Sequence, residues 1–365
     1  MSLQCGIIGI TNVGKSTIFN CISDTKAETN AYAFSATRSN IGSIKVPDPR
    51  LAELEKLQPT EKVIPTAVEF VDIPGLAKGS SRGEGVGNKF LGDIKNVDAL
   101  IHVLRCFEDD NLPHIDGSVD PLRDLENIDF ELQVKDLESV EKKVERLEKV
   151  ARSGDADARN GVKVLKKVAG HIEEMNNARD LEMKPEERKY IEDLFLFTVK
   201  PVIYVCNVDA DSAVEGNAWV DRVRERLAGS NAELLIIAGA LEAEISELDD
   251  DSDRIEFLND SGLSEPGVNK LVRSAYRMLD LQTFFTVGPK EIRAWTIKKG
   301  MTAPQAAGVI HSDMERGFIR AEVMKYHDFV EFGSEQACRE AGKFYVEGKN
   351  YVVGDGDILH IRFNV

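Results

Sequence analysis

The stretch Gly9-Ile10-Thr11-Asn12-Val13-Gly14-Lys15-Ser16-Thr17 sets a lysine and two hydroxyls directly behind two glycines spaced five residues apart. This is the pattern G-x-x-x-x-G-K-[ST], and its chemistry is the holding of phosphate. The glycines let the main chain curl so that successive N–H groups face inward at anionic oxygens. Asn12, Val13, Gly14, Lys15, Ser16 and Thr17 are therefore the candidate nucleotide-binding residues. Lys15 reaches β- and γ-phosphates, and the Ser16 hydroxyl ligates Mg²⁺. The apolar run Cys5-Gly6-Ile7-Ile8 before the loop reads as a buried strand, and Ser16-Thr17-Ile18-Phe19-Asn20-Cys21-Ile22 after it reads as the start of a helix. A helix there adds its positive N-terminal end to the phosphate site. Without that strand and helix the nine residues would be an ordinary glycine turn; with them they imply binding of a nucleoside triphosphate.

A second group of residues fits the same chemistry. Asp72-Ile73-Pro74-Gly75 closes the strand-like Val68-Glu69-Phe70-Val71. An aspartate there holds Mg²⁺ through a water, and the Gly75 N–H senses a γ-phosphate. Leu76 to Phe90 contains Gly79, Gly83, Gly85 and Gly87, a candidate switch segment. Leu76 occupies the place of the glutamine that positions water in many GTPases. An apolar side chain does not orient water, so the role passes to another side chain, to a bound cation such as K⁺, or to a partner, and turnover should be slow. His114, in the polar loop Asn111–Gly117, is one such side chain, a surface histidine without a role being the alternative. Asn207-Val208-Asp209-Ala210 stands where a base-reading N-K-x-D element would fall. Asn207 suits that element, but Ala210 offers guanine no carboxylate acceptor. A missing buried acceptor removes guanine selectivity, which points to ATP or to weak discrimination. Ala238 and Gly239 would then form a small-residue wall against the base.

The elements that must position these residues follow from hydropathy. Apolar runs at Gln4–Gly9, Ala67–Ile73, Ala99–Phe107, Pro201–Asn207 and Glu233–Gly239 alternate with helical segments. That alternation predicts an α/β domain on a mainly parallel sheet. The chemistry-bearing residues all fall at carboxyl ends of those strands, where such sheets bind ligands. Between residues 124 and 200 the pattern changes. Leu137, Val140, Val144, Leu147 and Ala151 repeat at 3 and 4, and after Ser153-Gly154-Asp155 so do Leu165, Val168, Ile172 and Met175. Two antiparallel helices forming a coiled coil fit this spacing. From Leu281 a small β-grasp domain is predicted, with strands at Glu291–Ile297, Phe318–Met324, Lys349–Val353 and Ile358–Phe363 and a helix at Ala303–Ser312.

Composition bounds the rest. The 365 residues carry a formal charge of −17, which excludes indiscriminate coating of nucleic acid. From Leu281 onward 11 Lys+Arg face 11 Asp+Glu, so the whole excess lies in residues 1–280. Arg293, Lys298, Lys299, Arg316, Arg320 and Lys325 are the basic residues best placed in the neutral part to meet RNA. No apolar run is long enough to span a membrane and no leader pattern opens the chain. The five scattered cysteines read as reduced core residues, which predicts a cytoplasmic protein.

At this point several motifs together resemble one family, the Obg-like YchF ATPases of the translation-factor branch of P-loop GTPases. They are the phosphate loop, Asp72-Ile73-Pro74-Gly75-Leu76, Gly83 to Leu91, His114 to Pro121, Leu281 to Thr286, Arg293 to Thr296, Gly317 to Glu322 and Asp355 to Ile358. The resemblance implies an OBG-type G domain over 1–280, interrupted by the 124–200 coiled coil, and a TGS-like β-grasp domain over 281–365. It implies Mg²⁺-dependent ATP hydrolysis with leucine in the glutamine position, a histidine of the family at His114, and association with the ribosome. Partners would then be ATP or GTP and large-subunit RNA and proteins, with the chain a monomer. Three departures stand out. Thr11 replaces the usual proline. The switch threonine that binds Mg²⁺ falls on Ala36, with Thr37 one residue later. Ala210 replaces the glutamate of the family's base element. Three readings therefore stay open: a slow ATPase with catalytic Lys15 and His114, a nucleotide-binding module with little hydrolysis, and a GTPase reading guanine through Asp209.

Overall fold

Each of the five predicted apolar runs forms a strand, at Gln4–Ile8, Ala67–Asp72, Ala99–Cys106, Val202–Val208 and Glu233–Ile237. The computed structural model describes residues 3–23, 40–75, 86–230, 232–248 and 250–364. Ala36, Thr37 and Leu76, with Gly79, Gly83 and Gly85, lie outside the described residues. A sixth strand at Asn40–Lys45 completes a six-stranded sheet. In order across the sheet, the strands begin at Asn40, Ala67, Gln4, Ala99, Val202 and Glu233. The Gln4 strand pairs in parallel with the Ala67 strand on one side and the Ala99 strand on the other. The chain therefore leaves the first strand at a point where strand order reverses, the position at which open α/β sheets bind ligands. The Ala99 and Val202 strands are buried along their whole length, as expected of central parallel strands covered on both faces.

The chain divides into two compact units, residues 1–42 with 69–271, and residues 43–68 with 272–365. The second unit thus includes a segment from early in the chain, which the expectation for residues 281–365 did not contain.

Within the first unit, helices at Pro121–Ala151 and Ala156–Glu173 form the expected antiparallel hairpin. Asp120 caps the first helix by accepting from the Leu122 N–H, with Pro121 at the first helical position. Gly154, at φ 98°, turns the chain, and Asp155 caps the second helix. Val140, Leu165, Val168 and Ile172 are buried, with Leu137, Val144 and Leu147 partly so. Each fully buried side chain contributes about 1.5–3 kcal/mol. Met175 departs from the predicted seam: it lies beyond the helix end with φ 63° and is 55% exposed. The hairpin is also held by polar groups. The Asp136 carboxylate accepts from the Phe197 and Thr198 N–H groups and from the Thr198 hydroxyl, and Lys143 donates to the Tyr190 carbonyl and pairs with Asp193.

The second unit is a six-stranded mixed sheet. Strands at Leu281–Val287 and Ile292–Lys298 pair antiparallel, and the Asp357–Phe363 strand joins the Leu281 strand in parallel. The helix Ala303–Ile310 buries Ala303, Ala306 and Ala307 against Phe284, Val323 and Leu359. Two differences from the predicted elements appear. Lys349–Val353 is not a strand; only a Thr302–Val352 bridge forms there, and the strand lies earlier at Tyr345–Glu347. Short helices occupy Tyr326–Phe332 and Glu335–Glu340, where alternation suggested nothing. The turn after residue 353 is fixed by Asp357, which accepts from the Gly354 N–H and from Lys325.

Candidate nucleotide site

The first strand delivers Gly9 at φ 153°, where an added Cβ would stand 2.6 Å from the Val103 carbonyl oxygen. Gly14 at φ 94° serves as the left-handed cap of the helix Lys15–Ile22, and a Cβ there would fall on Asn207 Nδ2. Both glycines are therefore required by conformation and by space. The first turn of that helix carries no acidic side chain, so its N–H groups remain available to an anion.

Lys15 is 7% exposed and its Nζ donates to the Ile10 carbonyl (2.6 Å). Burial pushes its pKa down to about 8, while the nearby Asp72 carboxylate opposes that shift. Ser16 Oγ donates to Asp72 Oδ2 (2.7 Å). Asp72 Oδ1 is buried and has no hydrogen-bond partner, and burial raises the Asp72 carboxyl above its usual range. An orphaned carboxylate oxygen beside a hydroxyl is the all-oxygen donor set of a hard divalent cation, so Ser16 and Asp72 fit such an ion, directly or through its waters. A Cβ on Gly75 would come within 2.9 Å of Lys15 Nζ and 3.0 Å of the Thr11 nitrogen. The phosphate loop, the Asp72 strand end and Gly75 thus meet at one place, as their positions at strand ends predicted.

Asn207 occupies the predicted base-side position, and each end of its amide makes one bond to the protein. Its Nδ2 donates to the Val13 carbonyl (2.8 Å), and its Oδ1 accepts from the Gly239 N–H (2.9 Å). It therefore braces the phosphate loop against the start of the helix Gly239–Glu247. Ala238 is buried beside it, and Val208 is the buried last residue of its strand. The Asp209 carboxylate accepts from the Ser212 N–H (2.9 Å) and so closes a local turn around Ala210.

His114 is not a surface histidine. Its side chain is 3% exposed, with Nε2 3.0 Å from Asp124 Oδ2. The Asp116 N–H donates to Nδ1 (3.1 Å), which places the neutral ring's proton on Nε2, facing Asp124. The loop that carries it touches the phosphate loop, because Asn12 Nδ2 donates to the Pro113 carbonyl (3.2 Å). Two residues of this arrangement escaped the sequence reading, Arg105 and Asp124. The available signal was a single arginine inside the apolar run Ala99–Cys106.

The cysteines are free, and burial raises the thiols of Cys5 and Cys21 to about 12, which leaves them protonated and unreactive. In the second unit, Arg316, Arg320 and Lys325 each have a carboxylate partner, and Arg293 stacks on Trp295. No helix among the described residues is long and apolar enough to cross a membrane.

Comparison with known proteins places this geometry. A ribosome-binding ATPase YchF of Bacillus subtilis is 47% identical over 367 residues, covering the whole of both chains. The chain belongs to the YchF family. The Haemophilus influenzae ribosome-binding ATPase YchF is 46% identical, again over the full length of both. The solved structure of the Schizosaccharomyces pombe YchF GTPase is 35% identical and superposes with a TM-score of 0.88, covering 99% of this chain and 98% of that one. A family model described as 50S ribosome-binding GTPase matches residues 4–151, and a YchF-GTPase C-terminal model, described as a protein of unknown function, matches 281–364. The YchF fold accounts for the P-loop sheet, the helical hairpin and the C-terminal mixed sheet together.

Proposed function

We propose that this YchF-family chain is a slow, Mg²⁺-dependent ATPase that acts in the cytoplasm, as a monomer, as a nucleotide switch on the ribosome. The buried Lys15–Ser16–Asp72 cluster at the mouth of the phosphate loop carries this reading. In it, N–H groups from Asn12 to Thr17 hold the phosphates and Lys15 neutralises the β- and γ-oxygens. Ser16 would hold Mg²⁺ directly and Asp72 through water, supplying charge neutralisation at the transferred phosphate. Thr37 and K⁺ remain further candidates for the cation sites. The Gly75 N–H reports the γ-phosphate to the segment that follows, starting at Leu76. His114 orients the attacking water once its ring turns out from Asp124.

Preference for ATP follows from the base side. Ala210 has no acceptor for guanine, and Asp209 spends an oxygen on Ser212. The relatives' names support the ribosome as partner, with the helical hairpin and the basic residues of the second unit as the surfaces offered. The test is equilibrium titration with ATP and GTP in Mg²⁺, followed by multiple-turnover phosphate release with and without ribosomes. Tighter ATP binding with slow release that ribosomes accelerate is expected. Tighter GTP binding would transfer base reading to Asp209 or main-chain groups, and binding without release would make the chain a nucleotide-binding module.

A further inference from the structure

Arg105 is 1% exposed, the largest fully buried side chain among the described residues; burial lowers its pKa, and the Asp109, Glu108 and Asp124 carboxylates oppose that shift without forming an ion pair with it. All its hydrogen-bond acceptors are main-chain carbonyls. Nε donates to Phe107 (3.1 Å), Nη1 to Leu112 (2.7 Å) and to Asn12 (3.5 Å), and Nη2 to Asp109 (3.4 Å). The guanidinium also lies over the Phe107 ring, 4.6 Å from its centroid. Three of these carbonyls belong to the loop that leads to His114, and the fourth belongs to the phosphate loop.

Replacing this cation by an apolar side chain would leave four main-chain carbonyls without their donor, so Arg105 contributes to stability as well as to position. What only a guanidinium supplies is five N–H donors in a rigid fork. Here the fork gathers a turn of main chain on one side and reaches the Asn12 carbonyl on another. Asn12 stands at φ 62°, a left-handed conformation rare outside glycine, and its own side chain bonds the Pro113 carbonyl next to His114. The two loops are therefore joined by the Asn12 amide, and the Arg105 fork, firmly bonded within the His114 loop, meets the Asn12 carbonyl at the outer limit of hydrogen-bond distance. Asp124 fixes the far side of the His114 ring.

We propose that Arg105 is a positioning residue for turnover, the clamp that holds the His114 loop in register with the phosphate loop. This rests on the reading that His114 acts in hydrolysis. The clamp fixes where the main chain of the His114 loop stands beside the phosphate loop, and the ring turns from there.

The test is a double-mutant cycle on the full-length protein with Arg105→Met, His114→Ala and the pair, measuring kcat, ATP dissociation constant and thermal unfolding. Arg105→Met should lower kcat at least about tenfold and leave ATP affinity within about threefold, with unfolding still cooperative but at a lower midpoint, since the carbonyls lose their donor. On the His114→Ala background the same substitution should lower kcat no further, because residues acting as one unit are not additive. Arg105→Lys, which keeps the charge with fewer directed donors, should recover part of the loss, and it replaces Met in the cycle if Met prevents folding. An unchanged kcat in Arg105→Met, or an equal further loss on the His114→Ala background, overturns the clamp. An unchanged kcat in His114→Ala alone removes His114 from hydrolysis, and any loss from Arg105→Met would then arise by another route and overturn the clamp as stated.

Discussion

The phosphate end of the first sheet and the helical hairpin of the same unit are held together by different physics. At the phosphate end almost every constraint is a main-chain one. Gly9 and Gly14 sit at positive φ with no room for a Cβ, and Asn207 and Arg105 bond carbonyls and N–H groups. The hairpin is held by an apolar seam of Val140, Leu165, Val168 and Ile172, spread over several turns. A main-chain site has few substitutes for each residue, because each one answers to a single atom. A seam shares its energy among many methyl groups, so it sets stability while leaving the chemistry alone. Stability should therefore respond to the hairpin and nucleotide affinity to the loop, with little crossover.

That separation is open to attack from either side. Leu165→Ala leaves a cavity in the seam and should lower unfolding free energy by about 2–5 kcal/mol in a denaturant titration. Its ATP dissociation constant should stay within about twofold; a large rise would mean that the hairpin and the loop are coupled. Gly14→Ala should do the reverse, weakening ATP binding by about a hundredfold, equivalent to about 2.7 kcal/mol, with helical circular dichroism unchanged. Wild-type affinity in that variant would show that the loop can re-route its chain.

Protonation offers a milder probe. Burial holds Lys15 down to about 8, and a bound triphosphate favours the charged ammonium and raises it. The lysine's contribution to affinity is thus fully present below pH 8 and lost as pH rises above it. ATP affinity measured by calorimetry should fall on the order of tenfold between pH 8 and 9.5, whereas the pH dependence of Lys15→Arg should be flat there. The smallest effect belongs to the exposed Lys166–Glu148 pair on the hairpin. Glu148→Gln should leave the unfolding midpoint and ATP binding unchanged, since exposed pairs are screened by water and salt; a clear shift would assign the hairpin surface a structural role that its seam does not need.

Much of the fold was legible because periodicity is local. Alternating apolar runs marked the central strands, and the 3, 4 repeat marked the C-terminal part of both hairpin helices while missing their first turns, which begin at Pro121 and Ala156. The errors fall where local pattern competes with packing. Tyr351-Val352-Val353 has strand-forming residues but makes only one bridge, and the sheet edge is taken by Tyr345–Glu347 instead. Met175 has the right spacing but falls past the helix end.

At the site, residue types and spacing marked the phosphate loop, Lys15, Ser16, Asp72 and Gly75 as candidates, because each motif is a short run read at the end of an apolar strand, although Ser16 meets Asp72 across 56 residues. Residues whose partners lie far away in the chain took their contacts from folding, not from local pattern. Folding gave Asn207, the candidate base-side residue, a bracing bond to Val13, 194 residues away. It buried His114 against Asp124, and it placed Arg105 among four carbonyls. Hydropathy marks where a side chain is buried; it carries no record of which distant carbonyl a buried donor will meet, since that partner exists only once the strands have paired.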